Sequence, residues 1–331
     1  MKTKYLMSMG TLSRKDNSLD FKNEKGHNYI PITEIREIYL MNEISLNTKL
    51  LSFLSQNNII VHYFDYYGFY RGTFFPKEHY ISGKLLLKQI NAYENKGILI
   101  AKKIVLAISI NIYNTLYHYY RHGNNEIYDY LNYLKDDCKN KIEKSKTINN
   151  LLAVEGEIWQ LFYKNIKYII NQNIDFSRRV KRPPDNPMNA MISFGNSLLY
   201  TKTITQIYHT HLNQSISYLH ELSKSRFSLS LDLSEAFKPI IVFKTIFDLI
   251  NNKKINLKEH FNKKVNYCVL NEKGKEIFLI NFEKRLDNKF DHKSLKRKIS
   301  YNSAIKYDGY KLIKFLLEEK DFMFFNDKEK K

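Results

Sequence analysis

Leu151-Leu-Ala-Val-Glu155-Gly-Glu-Ile158-Trp-Gln-Leu-Phe162, running on through Ile166 to Ile170, decides how the larger part of this chain is read. Leu151, Val154, Ile158, Phe162, Ile166 and Ile169 recur at helical spacing and form one apolar stripe. Glu155 lies on that stripe. At about 100° per residue it sits roughly 40° from Leu151 and roughly 20° from Phe162, whereas Glu157 points away with Lys164 and Lys167. A carboxylate facing a core is costly unless something pairs with it. Gly156 beside it lowers helix propensity, which fits a place where another backbone or a ligand comes close.

Working outward from this helix, the period stays helical back to about Tyr80, with Leu85, Leu86, Ile90, Ile98, Ile104, Ile108 and Ile112 as inward candidates. Before about Pro76 the pattern is strand-like. Tyr5 to Leu12, Leu19 to Phe21, Ile35 to Leu40, Ile59 to Asp65 and Phe69 to Phe75 read as strands, and Leu46 to Ser55 as one short helix. The expected fold class is therefore α+β. A β-rich domain over 1–78 precedes a larger all-α domain over 79–325, and 326–331 form a frayed tail.

Two more segments place ionisable groups inside apolar patterns. His220 stands in Ser217-Tyr-Leu-His220-Glu221, and Ser228-Leu-Ser-Leu-Asp232-Leu-Ser-Glu235-Ala-Phe-Lys-Pro239 follows. Asp232 and Glu235 are i and i+3, so a helix puts them on one face. Val242, Phe243, Ile246, Leu249 and Ile250 continue that face as a buried stripe. Pro239 cannot donate to the carbonyl of Glu235, so it kinks or starts a helix there and leaves the carboxylates at a helix end. Two or three carboxylates with one imidazole and no nearby cysteine suit Mg²⁺ or Mn²⁺ better than a structural zinc. Taken singly, each of these residues is more often a helix cap, a satisfied core histidine or half of an ion pair, and it is the joint pattern that points to a metal site.

With 53 Lys and Arg against 34 Asp and Glu, the chain carries a formal charge of +19 and a pI near 9.5. A polyanionic partner accounts for that excess, although a Lys-, Ile- and Asn-rich coding bias would also produce it. Arg178-Arg179-Val-Lys181-Arg182, before Pro183-Pro184, makes a candidate phosphate-binding ridge at a helix start. Asn189 and Ser193, one turn apart, suit a phosphate or a buried polar network equally well. Cys138 and Cys268 are too few and too far apart for a disulfide framework, which points to a reducing cytoplasm. The start has no apolar signal region, and the apolar run Ile98 to Ile110 is broken by Lys102-Lys103. Secretion and membrane insertion are therefore not expected.

Four segments in order also resemble a known motif series. They are Leu152-Ala-Val-Glu155-Gly-Glu-Ile-Trp159, Lys181-Arg-Pro-Pro-Asp-Asn-Pro-Met-Asn189-Ala-Met-Ile-Ser-Phe-Gly195-Asn-Ser-Leu-Leu-Tyr200, Tyr218-Leu-His220-Glu221 and Ser228 to Pro239. Their order and spacing are similar to those of the CRISPR-associated spacer-acquisition integrases, the Cas1 family. Asn196, where tyrosine often follows the Phe-Gly pair, and Lys238, where arginine usually precedes the proline, depart from the pattern without touching a ligand position.

The resemblance implies a metal-dependent DNA endonuclease and integrase that inserts spacer DNA into a CRISPR array by 3′-OH transesterification. Glu155, His220 and Glu235 match the metal ligands, with Asp232 in contact with the metal or just behind it. The implied partners are double-stranded DNA (a protospacer fragment and the CRISPR repeat), a second copy of the chain, and a small adaptation-protein dimer. Arg178, Arg179, Lys181, Arg182 and Asn189 are the expected DNA contacts, and the β-rich domain the expected dimer or partner surface. Two rivals remain at this point. One is a structure-specific nuclease that uses water with the same ligands, and the other a basic DNA-binding protein in which Glu155 and His220 form a buried ion pair.

Overall fold

The computed structural model describes residues 2–65, 67–76, 82–172, 174, 176, 178–181, 183–222, 227–264 and 267–326. Residues 327–331 of the expected tail and Arg182 lie outside that set. The chain divides into two compact units, Met1–His79 and Tyr80–Lys331.

The first unit begins with β1 (Lys2–Leu6), β2 (Gly10–Lys15), β3 (Ser18–Asn23), β4 (Gly26–Pro31), β5 (Ile35–Leu40) and β6 (Ile44–Ser45). Then come α1 (Thr48–Gln56), β7 (Ile60–Phe64) and β8 (Tyr70–Phe74). One four-stranded sheet has the order β1-β5-β7-β8, with β1, β5 and β7 parallel and β8 antiparallel. The other has the order β4-β3-β2-β6. Leu6, Ile38, Leu40 and Val61 of the first sheet meet Leu12, Leu19, Phe21 and Ile30 of the second, and Leu50, Phe53 and Leu54 of α1 close the cluster. Burying each such side chain is worth about 1.5–3 kcal/mol. The expected single strand Tyr5 to Leu12 is two strands in different sheets, because the chain leaves the first at Met7 and enters the second at Gly10. An added Cβ at Gly10 would lie 2.4 Å from the Lys22 carbonyl, so only glycine lets these backbones approach. The pattern gives no sign of β4: five of its six residues are exposed, so it lacks the apolar alternation of a half-buried strand.

The second unit opens with α2 (Gly83–Tyr120), α3 (Tyr128–Asn132), α4 (Cys138–Lys144) and α5 (Ile148–Asn165). α6 (Pro187–Tyr208) and α7 (Ser228–Glu235) follow, then a π-helical turn at Pro239–Phe243 and α8 (Lys244–Asn251). The chain then forms the hairpin β9 (Phe261–Lys264) and β10 (Tyr267–Leu270), α9 (Glu272–Asp287), the hairpin β11 (Lys289–His292) and β12 (Arg297–Ser300), and α10 (Tyr301–Glu318). The unit is largely helical, not all-α. Each hairpin strand is four residues long, too short to interrupt a helical period visibly.

α6 runs through the middle of this unit with most of its residues buried. A Cβ on Gly195 would stand 2.6 Å from Val242 Cγ1 and 2.9 Å from Phe278 Cζ, so glycine here lets α6 sit against the π-helical turn and α9. α2 is long and apolar enough to cross a membrane, yet Ile100, Ile104, Val105, Ile108 and Ile112 are all buried within the unit. Two of its buried amides are spent on structure. Gln89 pairs with the backbone of Asn213, and Asn111 donates to the carbonyls of Ala236 at 2.8 Å and Phe325 at 2.9 Å.

Candidate active site

Three pieces of the second unit build the candidate site: the middle of α5, the loop 213–220, and the junction between α7 and the π-helical turn. α5 starts at Thr147, whose hydroxyl accepts from the Asn150 amide at 3.2 Å. Its stripe is buried through Leu151, Val154, Ile158, Trp159 and Phe162, and Phe162 packs edge-on against Phe243 with ring centroids 4.7 Å apart. Glu155 is half-buried within that stripe. The helical reading of this segment therefore puts the carboxylate where it was expected. Gly156, by contrast, is exposed, and an added Cβ there meets no atom within 4 Å, so close backbone approach does not explain it.

The loop is stitched to α7 before His220 is reached. The Leu229 amide donates to the Gln214 carbonyl at 2.9 Å, Ser228 Oγ to the Ser215 carbonyl at 2.8 Å, and Ser230 Oγ to Gln214 Oε1 at 2.6 Å. Asp232, fully buried, then closes it. Its Oδ2 accepts from the amides of Tyr218 at 2.7 Å and Leu219 at 3.0 Å. Its Oδ1 accepts from the His220 amide at 3.1 Å and from His220 Nδ1 at 2.7 Å. An ionised carboxylate can only accept, so Nδ1 carries a proton and the free lone pair of a neutral ring is on Nε2. Burial alone would lower the His220 pKa. The hydrogen bond and charge of Asp232 outweigh it, and the net shift is upward.

At the other side of the site α7 ends at Glu235, and Pro239 opens the π-helical turn one helical turn later. The proline has no amide hydrogen to give the Glu235 carbonyl, and the next carbonyl, that of Ala236, accepts the Asn111 side chain while the Ile240 amide donates to Phe237. Glu235 is almost wholly buried and paired with the ammonium of Lys238. That ammonium also lies 5.9 Å from the centroid of the Trp159 ring. The Trp159 side chain hydrogen-bonds Glu155. Burial first, and the charge of Glu235 second, push the Glu155 carboxyl up to about 7, against the opposing influence of Lys238, His220 and the Trp159 bond.

The structure thus brings Glu155, His220 and Glu235 within electrostatic reach of one another and puts Asp232 behind His220. Among the described residues, no three His, Cys, Asp or Glu side chains are gathered closely enough to hold an ion as they stand. Glu235 is turned onto Lys238 instead. The donor chemistry nevertheless suits a hard divalent cation: two mutually repelling carboxylates, one of them nearly buried, and an imidazole whose outer nitrogen is free.

The expected DNA ridge separates into two groups. Arg178 and Lys181 are exposed. Arg179 turns inward, donating to Asn189 Oδ1 at 3.0 Å, Ser193 Oγ at 2.9 Å and the Val180 carbonyl, and it hydrogen-bonds Tyr163. Asn189 is fully buried and spent on Arg179, on Asp185 Oδ1 at 2.7 Å, on the Arg178 carbonyl at 3.0 Å and on the Val180 amide at 3.1 Å. Of the two readings open for Asn189 and Ser193, the buried network is the one found. Tyr163 ties this network to the site, since its hydroxyl lies in the fields of Arg179, Glu235 and Glu155. Sequence reading did not find Tyr163, Gln89 or Asn111; a polar side chain on an apolar helical stripe was the available signal for each.

A β-rich unit is followed by a largely helical unit that brings two carboxylates and an imidazole near one another, and comparison with known proteins identifies the family. The chain belongs to the Cas1 family, the CRISPR-associated endonucleases that integrate spacers during CRISPR adaptation; the family model described as CRISPR associated protein Cas1 matches residues 4–284. A CRISPR-associated endonuclease Cas1 from Fusobacterium nucleatum is 43% identical over 324 residues, covering 97% of this chain and 95% of its relative. The solved structure of a CAS1 protein from Thermotoga maritima superposes with a TM-score of 0.85 at 36% identity, covering 99% of this chain and all of the other. Two more distant structures share the fold. A casposase bound to integration product has a TM-score of 0.87 at 23% identity, covering 100% and 95% of the two chains. A Cas6-RT-Cas1–Cas2 complex has a TM-score of 0.84 at 17% identity, covering 98% of this chain and 36% of the other.

Proposed function

We propose that Glu155, His220 and Glu235 hold one Mg²⁺ or Mn²⁺ and that the chain uses it to join spacer DNA to a CRISPR repeat by transesterification. The observation that carries this reading is the Asp232 clamp, which fixes the His220 ring with Nε2 outermost, beside two carboxylates that repel each other. A pair of like charges, one half-buried and one nearly buried, is relieved by a cation, and the ring is already in the tautomer that binds one. Bound there, the ion supplies positive charge to the target phosphate and to the departing 3′ oxygen.

The chain's own residues do the remaining work. Asp232 holds the loop and the His220 ring so that this ligand need not be reoriented, and Trp159 orients Glu155 through its side-chain bond. Arg178 and Lys181, exposed and basic, guide the phosphate backbone, while Arg179 and Asn189 support them from within. The fragment's 3′ hydroxyl attacks the target phosphorus, a new P–O bond forms, and the target's own 3′ oxygen leaves. One phosphodiester replaces another, so no nucleotide cofactor is required.

The partners follow the same reading: double-stranded DNA, a second copy of the chain, and a small adaptation-protein dimer acting on the two ends of one fragment. The net charge of +19 favours the first. Two buried, unpaired cysteines are consistent with a cytoplasmic setting. The test is a labelled fragment followed into a longer, repeat-containing strand on a denaturing gel, with Mg²⁺ or Mn²⁺ and the partner protein present. Fragments ending in a free 3′ hydroxyl are expected to join, and 3′-dideoxy fragments to bind without joining. Equal joining by blocked ends, or shortened target strands whatever the end, replaces this reading with hydrolysis by water.

A further inference from the structure

Lys238, at the junction of α7 and the π-helical turn, has no part in the mechanism above. It follows Glu235 by three residues, and its ammonium contacts Glu235 Oε1. Both side chains are largely withdrawn from water, at 16% exposure for Lys238 and 5% for Glu235. The ammonium also faces the Trp159 ring at 5.9 Å, and that same Trp159 hydrogen-bonds Glu155. Glu155 and His220 both feel the charge of Lys238. A lysine ammonium therefore stands among the three groups assigned to the metal.

This arrangement answers a physical difficulty. Two carboxylates in a mostly apolar pocket destabilise the fold unless a positive charge is near, and in the metal-free protein the chain must supply that charge itself. A lysine suits the task because its charge is compact and its four-carbon stem is flexible, so the head can leave without moving the helix. A divalent ion coordinated by Glu235 and an ammonium in contact with the same carboxylate repel each other strongly at such short range.

We infer that Lys238 is a built-in counter-ion, which occupies the carboxylate pocket of the metal-free protein and is displaced from Glu235 when a divalent cation binds. The inference rests on the assignment of Glu155, His220 and Glu235 as the metal ligands. Its consequence is that the lysine opposes metal binding, keeping the pocket compact until the ion arrives.

Two measurements on the full chain test it. The first is titration with Mn²⁺ alone, followed calorimetrically in mildly alkaline buffer, for the wild type, K238Q, K238R, E155Q and H220A. K238Q is expected to bind Mn²⁺ at least roughly tenfold more tightly than the wild type, because a competing charge at such close range is gone. K238R, which keeps the charge, should stay within about threefold of the wild type. Equal or weaker binding by folded K238Q, with binding lost in E155Q and H220A, overturns the counter-ion role and leaves the metal assignment standing. Binding unaffected by E155Q and H220A overturns the metal assignment, and the counter-ion role with it.

The second measurement needs no variant: the rate of Lys238 acylation by a water-soluble amine reagent, read by peptide mass spectrometry. Acylation should be slow in the metal-free protein and accelerate when Mg²⁺ is added, since the ammonium is then released from Glu235. A rate that Mg²⁺ leaves unchanged or slows contradicts the displacement.

Discussion

The two sides of the site are built on opposite principles. Around Asp232 every hydrogen-bonding position is matched: three consecutive amides and one ring nitrogen converge on a buried carboxylate, and the loop 213–220 is fixed by its neighbours in α7. Around Glu155 and Glu235 like charges act on each other, and Lys238, His220 and the Trp159 bond offset them. The contrast teaches what each side is for. A saturated carboxylate has nothing left to offer a ligand, so it holds another group in place. On the proposed reading the charged, under-compensated pair retains binding capacity, and a cation would relieve its cost to folding.

The largest effects that sharpen the comparison come from removing one group on each side. Glu155→Ala, His220→Ala and Glu235→Ala should each lower strand transfer by at least about a hundredfold while the fold and the affinity for DNA persist. Asp232→Ala should act differently. It orphans two buried amides and a half-buried one and frees the ring, so a loss of stability of about 2–4 kcal/mol should accompany a fall of about 10–100-fold in metal affinity. Gel-based joining assays, urea denaturation and Mn²⁺ titration separate the two patterns. If the Glu155 and Asp232 variants lose stability equally, the division of labour is wrong.

The charged side makes a pH prediction. The Glu155 carboxyl is raised from its ordinary 4.5 to about 7 in the folded protein, so folding favours its neutral form. Its contribution to stability is fully present below about 4.5 and is lost as pH rises through about 7. In the presence of a chelator, Glu155→Gln should therefore be more stable than the wild type above neutral pH, by about 2–3 kcal/mol, with the advantage vanishing in acid. Thermal melts across pH check it, and a variant less stable than the wild type at alkaline pH would count against the repulsion.

A smaller effect distinguishes the outer basic residues from the inner arginine. Charge reversal at Arg178 and Lys181 should flatten the salt dependence of DNA binding by about 0.9 for each phosphate no longer neutralised, without changing stability. Arg179→Ala should instead cost about 1–3 kcal/mol, because Asn189 and Ser193 lose their buried donor, and leave the salt slope nearly unchanged. Filter binding across salt concentrations, paired with denaturation, reads both.

Sequence reading went furthest where periodicity carries information. The stripe from Leu151 to Ile169 put Glu155 on the inner face of α5, and the i, i+3 spacing put Asp232 and Glu235 on α7 with Pro239 beyond it. It stopped where an interaction spans a loop. That Asp232 turns back onto Tyr218, Leu219 and His220 depends on a loop without a period, and that Arg179 turns inward depends on the buried Asn189 meeting it. Exposed β4 escaped because it prints no apolar alternation, and the hairpin strands because four residues are too few to establish one, even in β10, where Cys268, Val269 and Leu270 are buried.

The most direct test of the whole account is a crystal of the full chain soaked in Mn²⁺ and measured at the manganese absorption edge. The account predicts one anomalous peak within about 2.1 Å of His220 Nε2 and of carboxylate oxygens from Glu155 and Glu235. Asp232 should still accept from the three loop amides, and Lys238 should be withdrawn from Glu235. A peak bound directly by Asp232, or an ion held without Glu155 and His220, would contradict it.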